Sequence, residues 1–255
     1  MIDSQGSDTG AILLLGGTAE ANALARALAA RGVPAIYSYA GRTASPAAQP
    51  LPTRSGGFGG AAGLAQWIEA NRIAAVIDAT HPFAARISAN AAAACAEAGV
   101  ALAALERPPW RPEPGDDWRD AASVEAAAAV LPARPARVFL AIGRQELAPF
   151  AARPEHHYLL RVIDRPAAPP LPGAEVVVDR GPFTTDGDRA LMARHGVDMV
   201  VAKNAGGDGA RAKLAAARDL GLPVVMVARP AMPARRVLTD VEAAAGWAAH
   251  ARLGV

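Results

Sequence analysis

Short, wholly apolar runs alternate along the chain with longer, alanine-rich segments of helical character. Residues 11–15, AILLL, pass through Gly16 and Gly17 into a helical stretch over 19–30, and GVPAIYSYA at 32–40 reads as the next strand. After a glycine- and proline-rich stretch at 41–60, the pattern predicts a helix at 64–72, a strand at 74–80, a helix at 84–98 and a strand at 99–106. Strand–helix–strand repetition of this kind predicts a parallel sheet with helices on both faces.

The segment RPPWRPEPG at 107–115 breaks the pattern, because its prolines fit neither a helix interior nor a central strand. A linker carrying one short helix is therefore expected over 107–135. The alternation then restarts, with strands at 136–143, 156–163, 174–181, 197–204 and 223–230 and helices at 144–152, 186–196, 208–221 and 240–252, the last capped by Asp240. The halves also resemble each other. VIDATHPFAARISANAAAACAEAGVALAALERP and VVAKNAGGDGARAKLAAARDLGLPVVMVARP share strand, polar turn, helix, strand and a closing Arg-Pro, and ILLLGGTAE and VFLAIGRQE precede them at similar distances. This self-similarity predicts an α/β fold of two Rossmann-like, doubly wound parallel-sheet domains, residues 10–106 and 136–255, facing a central cleft. Residues 1–9, with two aspartates and no basic stretch, are expected to be disordered and are not a signal peptide.

Composition narrows the classes. The 255 residues are 52% hydrophobic, and the formal net charge of +2 spreads over an arginine-rich chain without the clustered base that nucleic-acid binding needs. Cys95 is the single cysteine, so neither an internal disulfide nor a cysteine metal site can form. The apolar runs are too interrupted to span a membrane. A soluble cytoplasmic protein is the expectation, with no metal site; composition is silent on oligomeric state.

The polar loops that follow strands are the candidates for chemistry. GGTAE (16–20) lets the chain turn sharply and present amides and a helix N-terminus to a phosphate, with Gly16, Gly17, Thr18 and Ala19 as contacts and Thr18 as an added hydroxyl donor. Glu20 suits the helix dipole but repels a nearby phosphate. An ordinary capped turn is the alternative. The second strand ends YSYAGRTAS, without the acid of an NAD site; Arg42 stands where a cation meets a 2′-phosphate, with Ser38, Gly41 and Thr43 beside it, which favours NADPH. In ATHPFA, Thr80, His81 and Pro82 are candidate cofactor contacts; His81 projects from a strand end to donate to a ligand or handle a proton, or the turn simply caps the next helix. TRSGGFGG (53–60) reads as a mobile loop able to close over a cofactor, with Phe58 excluding water and Phe58 and Gly59 as candidate substrate contacts. In the second half Arg144, Thr184, Lys203 and Asn204 gather cations and donors suited to a polyanionic substrate. His156 and His157 are adjacent on a strand and point to opposite faces, which makes them poor joint metal ligands.

LLLGGTAEA, VIDATHPFA, LERPPW, GRQEL, GPF and KNAGGDGARAKLAAARDLGLPVVMVARP fall in order across residues 11–230. In these motifs the chain resembles the precorrin-6A reductase family of cobalamin biosynthesis. The resemblance implies NADPH-dependent reduction of one double bond of the macrocycle, giving precorrin-6B, with cofactor and tetrapyrrole meeting between two Rossmann-like domains. It also implies that Lys203, Arg144 and Arg54 meet the macrocycle's carboxylates, and that His81 or a water delivers the proton. The family's first loop often has arginine where this chain has Asn22, which leaves Arg42 or Arg26 to compensate. The motifs do not separate a metal-free from a cobalt-containing substrate. The residues alone also allow a two-domain nucleotide-sugar transferase or a non-catalytic protein that clamps an anionic small molecule.

Overall fold

The computed structural model describes residues 10–41, 47–162, 168 and 170–253. Arg42 and Thr43 lie outside the described residues, as does the N-terminal segment expected to be disordered. The chain forms two compact units, one of residues up to Arg107 together with those from Ala231 onward, the other Pro108–Pro230.

The first unit contains β1 (Ala11–Leu15), α1 (Ala19–Ala30), β2 (Ala35–Tyr39), β3 (Thr53–Ser55), α2 (Gly60–Ala70), β4 (Ile73–Asp78), α3 (Ala85–Ala98) and β5 (Ala101–Leu105). The second contains β6 (Trp118–Ala121), α4 (Val124–Ala129), β7 (Arg137–Ala141), β8 (His157–Val162), β9 (Glu175–Val178), α5 (Thr185–Arg194), β10 (Met199–Lys203), α6 (Ala212–Asp219) and β11 (Val224–Val227). The chain then returns to the first unit as β12 (Arg236–Leu238) and α7 (Val241–Leu253).

Among the described residues each unit has one six-stranded, all-parallel sheet, in the orders β3-β2-β1-β4-β5-β12 and β9-β8-β7-β10-β11-β6. The first is the doubly wound dinucleotide-binding order. The second repeats it through five strands, but its sixth position is filled from earlier in the chain. The units thus exchange their outermost strand: after β5 the chain supplies β6 to the second sheet, and after β11 it supplies β12 to the first. The paired Glu-Arg-Pro and Ala-Arg-Pro segments, 106–108 and 228–230, mark the two departures. β5 ends at Leu105 and β11 at Val227, and the proline that follows each has no N–H with which to continue a ladder.

The expected domain boundaries change accordingly. Residues 107–135 are not a free linker: Trp110 is buried in the second unit's core, and its indole N–H donates to Gly207 O at 2.7 Å. Residues 231–255 do not belong with 136–230, because Ala244, Ala245 and Ala248 of α7 are buried in the first unit's core with Leu24, Ala25 and Leu28 of α1. Small residues along α7 let it pack closely on α1. Side chains alternate across the central strands. Ile12, Leu14, Ala75 and Ile77 face α1 and α7, whereas Leu13, Leu15 and Val76 face α2 and α3. Coverage of both faces explains the unbroken apolar runs of β1 and β4. Asp240 caps α7 as expected, accepting from Ala243 N–H at 2.8 Å. Residues 144–152 form two short 3-10 turns, not an α-helix.

Ending the chain at Pro230 removes β12 and α7 from the first sheet while leaving all six strands of the second. Hydrogen exchange on such a chain should show lost protection in β1, β4 and β5 and retained protection in β7 and β10. Equal protection in both units would contradict the strand exchange.

Candidate functional site

The turn after β1 is shaped by a tyrosine. A side chain at Gly16 would place its Cβ 2.2 Å from the Tyr37 ring, so only glycine fits. Tyr37 is fully buried; its hydroxyl accepts from Gly17 N–H at 2.8 Å and donates to Asn22 Oδ1 at 2.7 Å. Asn22 Oδ1 also accepts from Gln49 Nε2 at 3.0 Å. Burial pushes the phenol up to about 12, so it remains a protonated donor near neutral pH. Asn22 therefore supports the turn from behind. Gly17, at φ +115, faces open space. The turn leaves the first amides of α1, at Ala19 and Glu20, without an intrahelical acceptor.

Thr18 differs from expectation. Its hydroxyl proton goes to Ala79 O at 2.8 Å, and its oxygen caps α1 by accepting from Ala21 N–H at 3.1 Å. It ties the turn after β1 to the turn after β4 and has no proton left for a phosphate. Glu20 likewise does not face a phosphate unscreened, because Arg107 Nη1 lies 2.8 Å from its Oε2.

The turn after β4 is held by Asp78. One carboxylate oxygen accepts from Thr80 N–H at 3.1 Å and Thr80 Oγ1 at 2.6 Å; the other accepts from Ser88 Oγ at 2.6 Å and Arg235 Nη1 at 3.1 Å. Arg235 also pairs with Glu106, and its side chain is 4% exposed. Leaving either charge unpaired at this depth would be strongly destabilising. The network fixes Thr80, and next to it His81, whose Nδ1 accepts from Phe83 N–H at 3.3 Å. Pro82 is buried below the loop and His81 is exposed.

These turns bound a crevice of about 720 Å³ at the carboxyl ends of β1, β2 and β4. Gly16, Gly17, Ser38, Gly41, Gly56–Gly60, Thr80 and His81 line it, with Phe83–Ile87 and Asn90 along α3. Its size suits a cofactor, and its place is the switch point where doubly wound sheets bind ligands. The glycine-rich stretch at 56–60 is anchored, contrary to a freely mobile loop. Arg54 donates to Ser38 Oγ at 2.8 Å, Gly56 O at 2.9 Å and Gly57 O at 3.1 Å, and its guanidinium lies 3.8 Å from the Phe58 ring centroid. Of the residues expected to meet substrate, Phe58 and Gly59 thus line the crevice of the first unit, and Arg54 lies beside it, bonded to its lining residues Ser38, Gly56 and Gly57.

In the second unit Lys203, at the end of β10, pairs with Glu146. Asn204 is not presented to a ligand: Oδ1 accepts from Trp110 N–H at 2.7 Å and Nδ2 donates to Trp110 O at 3.0 Å, so both ends bracket the proline-rich segment. Thr184 caps α5, accepting from Gly187 N–H at 3.1 Å. Arg144 is exposed on the turn after β7. Among the described residues no group of three or more His, Cys, Asp or Glu side chains could hold a metal ion, and no helix is long and apolar enough to cross a membrane.

Residues 11–249 match the family model of precorrin-6x reductase CbiJ/CobK. The chain belongs to that family. It is 57% identical over 239 residues to a precorrin-6A reductase of Rhodobacter capsulatus, covering 93% of this chain and 95% of the relative. To a precorrin-6A reductase of a Sinorhizobium species it is 51% identical over 233 residues, covering 90% and 88%. A solved structure of CobK precorrin-6A reductase superposes with a TM-score of 0.89 at 56% identity, covering 95% of this chain and 97% of that one.

Seen as a member of this family, the chain's THPF motif is a loop suspended from a buried carboxylate. Reading the sequence singled out the loop but not Asp78, Tyr37 or Arg235. Asp78 had a signal, an acid closing an apolar strand just before Thr80. Tyr37 and Arg235 had none, since their partners lie 15 and 157 residues away.

Replacing Tyr37 with Phe leaves Gly17 N–H and one acceptor site of Asn22 unmet. Urea unfolding should show a loss of about 1–3 kcal/mol, and titration should show weaker dinucleotide binding. A variant equal to wild type in both would remove the phenol from the turn's support.

Proposed function

We propose that this chain reduces precorrin-6A to precorrin-6B with NADPH in cobalamin biosynthesis. The observation that carries the reading is the crevice of the first unit: a reductase family's motifs, GGT and THPF, form its walls at the switch point of a dinucleotide-binding sheet. The fit is chemical as well as spatial. The amides at the start of α1 suit a pyrophosphate, Arg107 neutralises Glu20 beside them, and β2 ends without the carboxylate that would repel a 2′-phosphate.

NADPH, when bound, supplies the hydride. The protein's part is to bind, orient and exclude water. Gly16 and Gly17 let the backbone come close, Phe58 and Phe83 give the crevice apolar walls, and the Asp78 network holds the THPF turn rigid. His81 is proposed to deliver the proton to the carbon next to the reduced one. Its Nδ1 accepts from Phe83 N–H, which places the neutral ring's proton on Nε2. Lys203 and Arg144 are the cations proposed for the substrate's carboxylates, with Lys203 exchanging its Glu146 partner for one of them.

Mixing the protein with NADPH and precorrin-6A without oxygen should consume NADPH and shift the pigment's absorption. No change with authentic precorrin-6A would overturn the assignment. His81→Ala should lower kcat at saturating NADPH by roughly 10²-fold or more. An unchanged kcat would give the proton to a water.

A further inference from the structure

The two sheets share one plan, and comparing them exposes a charge difference. In the second unit the Arg161 guanidinium, on β8, lies 3.5 Å from the Phe183 ring centroid and is paired with Asp188, whose side chain is 3% exposed. In the first unit the Arg54 guanidinium, on β3, lies over the Phe58 ring in the same manner. The two phenylalanines hold matching places, each two residues before the helix that follows the third strand, α5 or α2. Asp188 stands five residues after Phe183; five residues after Phe58 stands Gly63. A Cβ at Gly63 would lie 1.9 Å from Phe58 O, so the backbone itself excludes a carboxylate there.

Arg54 consequently has neutral acceptors alone: the Ser38 hydroxyl and the carbonyls of Gly56 and Gly57. No carboxylate reaches ion-pair distance of it among the described residues, and the sequence holds no Asp or Glu between Glu20 and Glu69. Burial also pushes the guanidinium's pKa down from its ordinary value, the mark of a cation short of water and of a counter-charge. Ser38, Gly56, Gly57 and Phe58, which touch Arg54, all line the crevice. They do so at the carboxyl ends of β2 and β3, where a dinucleotide-binding sheet receives the adenosine ribose.

We infer that Arg54, with the Ser38 hydroxyl, is the specificity-determining cation that recognises the 2′-phosphate of the cofactor's adenosine ribose. The inference rests on the cofactor reading above and moves Arg54 from substrate to cofactor. A phosphate supplies the counter-charge and the paired oxygens for the guanidinium fork that the neutral carbonyls lack. Arg42, the cation expected from the sequence, is the rival for this role.

Calorimetric titration of the full chain with 2′,5′-ADP and with 5′-ADP tests it, because the ligands differ by the 2′-phosphate alone. Wild type should prefer 2′,5′-ADP, and Arg54→Gln should cut that preference by about tenfold or more. Arg54→Lys, which keeps the charge and loses the fork, should fall between. Ser38→Asp, which supplies the missing carboxylate, should lose the preference in the same way; circular dichroism checks that each variant is folded. The inference is overturned if Arg54→Gln keeps the preference while Arg42→Ala abolishes it. It is also overturned if Arg54→Gln weakens both ligands equally, which would make Arg54 a brace for the glycine loop. Wild type binding neither ligand would instead overturn the cofactor reading itself.

Discussion

The crevice depends on one buried carboxylate. Asp78 ends a strand covered on both faces, where an unpaired charge could not be tolerated. It is satisfied by four donors from three places: Thr80 in the next turn, Ser88 in α3, and Arg235 in the segment that returns from the second unit. Each donor is thereby fixed relative to the sheet. The THPF turn cannot shift without breaking these bonds, and the turn after β1 is linked to it through Thr18 and the Ala79 carbonyl. Two loops far apart in sequence are thus held as one wall by the need to satisfy a single charge.

The same need explains why the chain leaves and re-enters the first unit. Arg235 arrives just before β12, which lies beside β5. Its guanidinium closes the carboxyl edge of the sheet between Asp78 and Glu106. The exchanged strand therefore completes the core beneath the crevice and also delivers the cation that neutralises its central acid. In the second unit the corresponding loops diverged. Ala202 stands where the first sheet has Asp78, Lys203 next to it pairs with Glu146, and Arg161 is neutralised by Asp188. The two sheets share a frame and differ in the polar side chains at their strand ends.

Much of the frame was legible because both faces of each central strand are buried. β1 and β11 are unbroken apolar runs, and β4, β7 and β10 are apolar but for one charged end, so all five declare themselves. β3, β6 and β12 did not, since they have three or four residues each and lie at or near sheet edges. Missing β6 and β12 concealed the exchange and misplaced both boundaries of the second unit. In the site, glycines and the THPF motif revealed where the loops are, because turns demand particular residue types. They did not reveal what the side chains do. Thr18 and Asn204 looked like ligand donors, yet each spends its hydrogen bonds on backbone brought close by the fold. Arg54 was expected to meet the substrate, whereas among the described residues it is bonded to Ser38, Gly56 and Gly57 without the carboxylate that pairs with Arg161.

The central claim is that one of two sheets built to the same plan holds the cofactor. Hydrogen exchange with and without NADPH tests it most directly. The account predicts slowed exchange at the amides of 18–20, 38–41, 56–60 and 80–87, and no change in the matching turns at 142–146, 181–185 and 204–208. Slowed exchange in the second unit's turns, with the first unit unaffected, would contradict it.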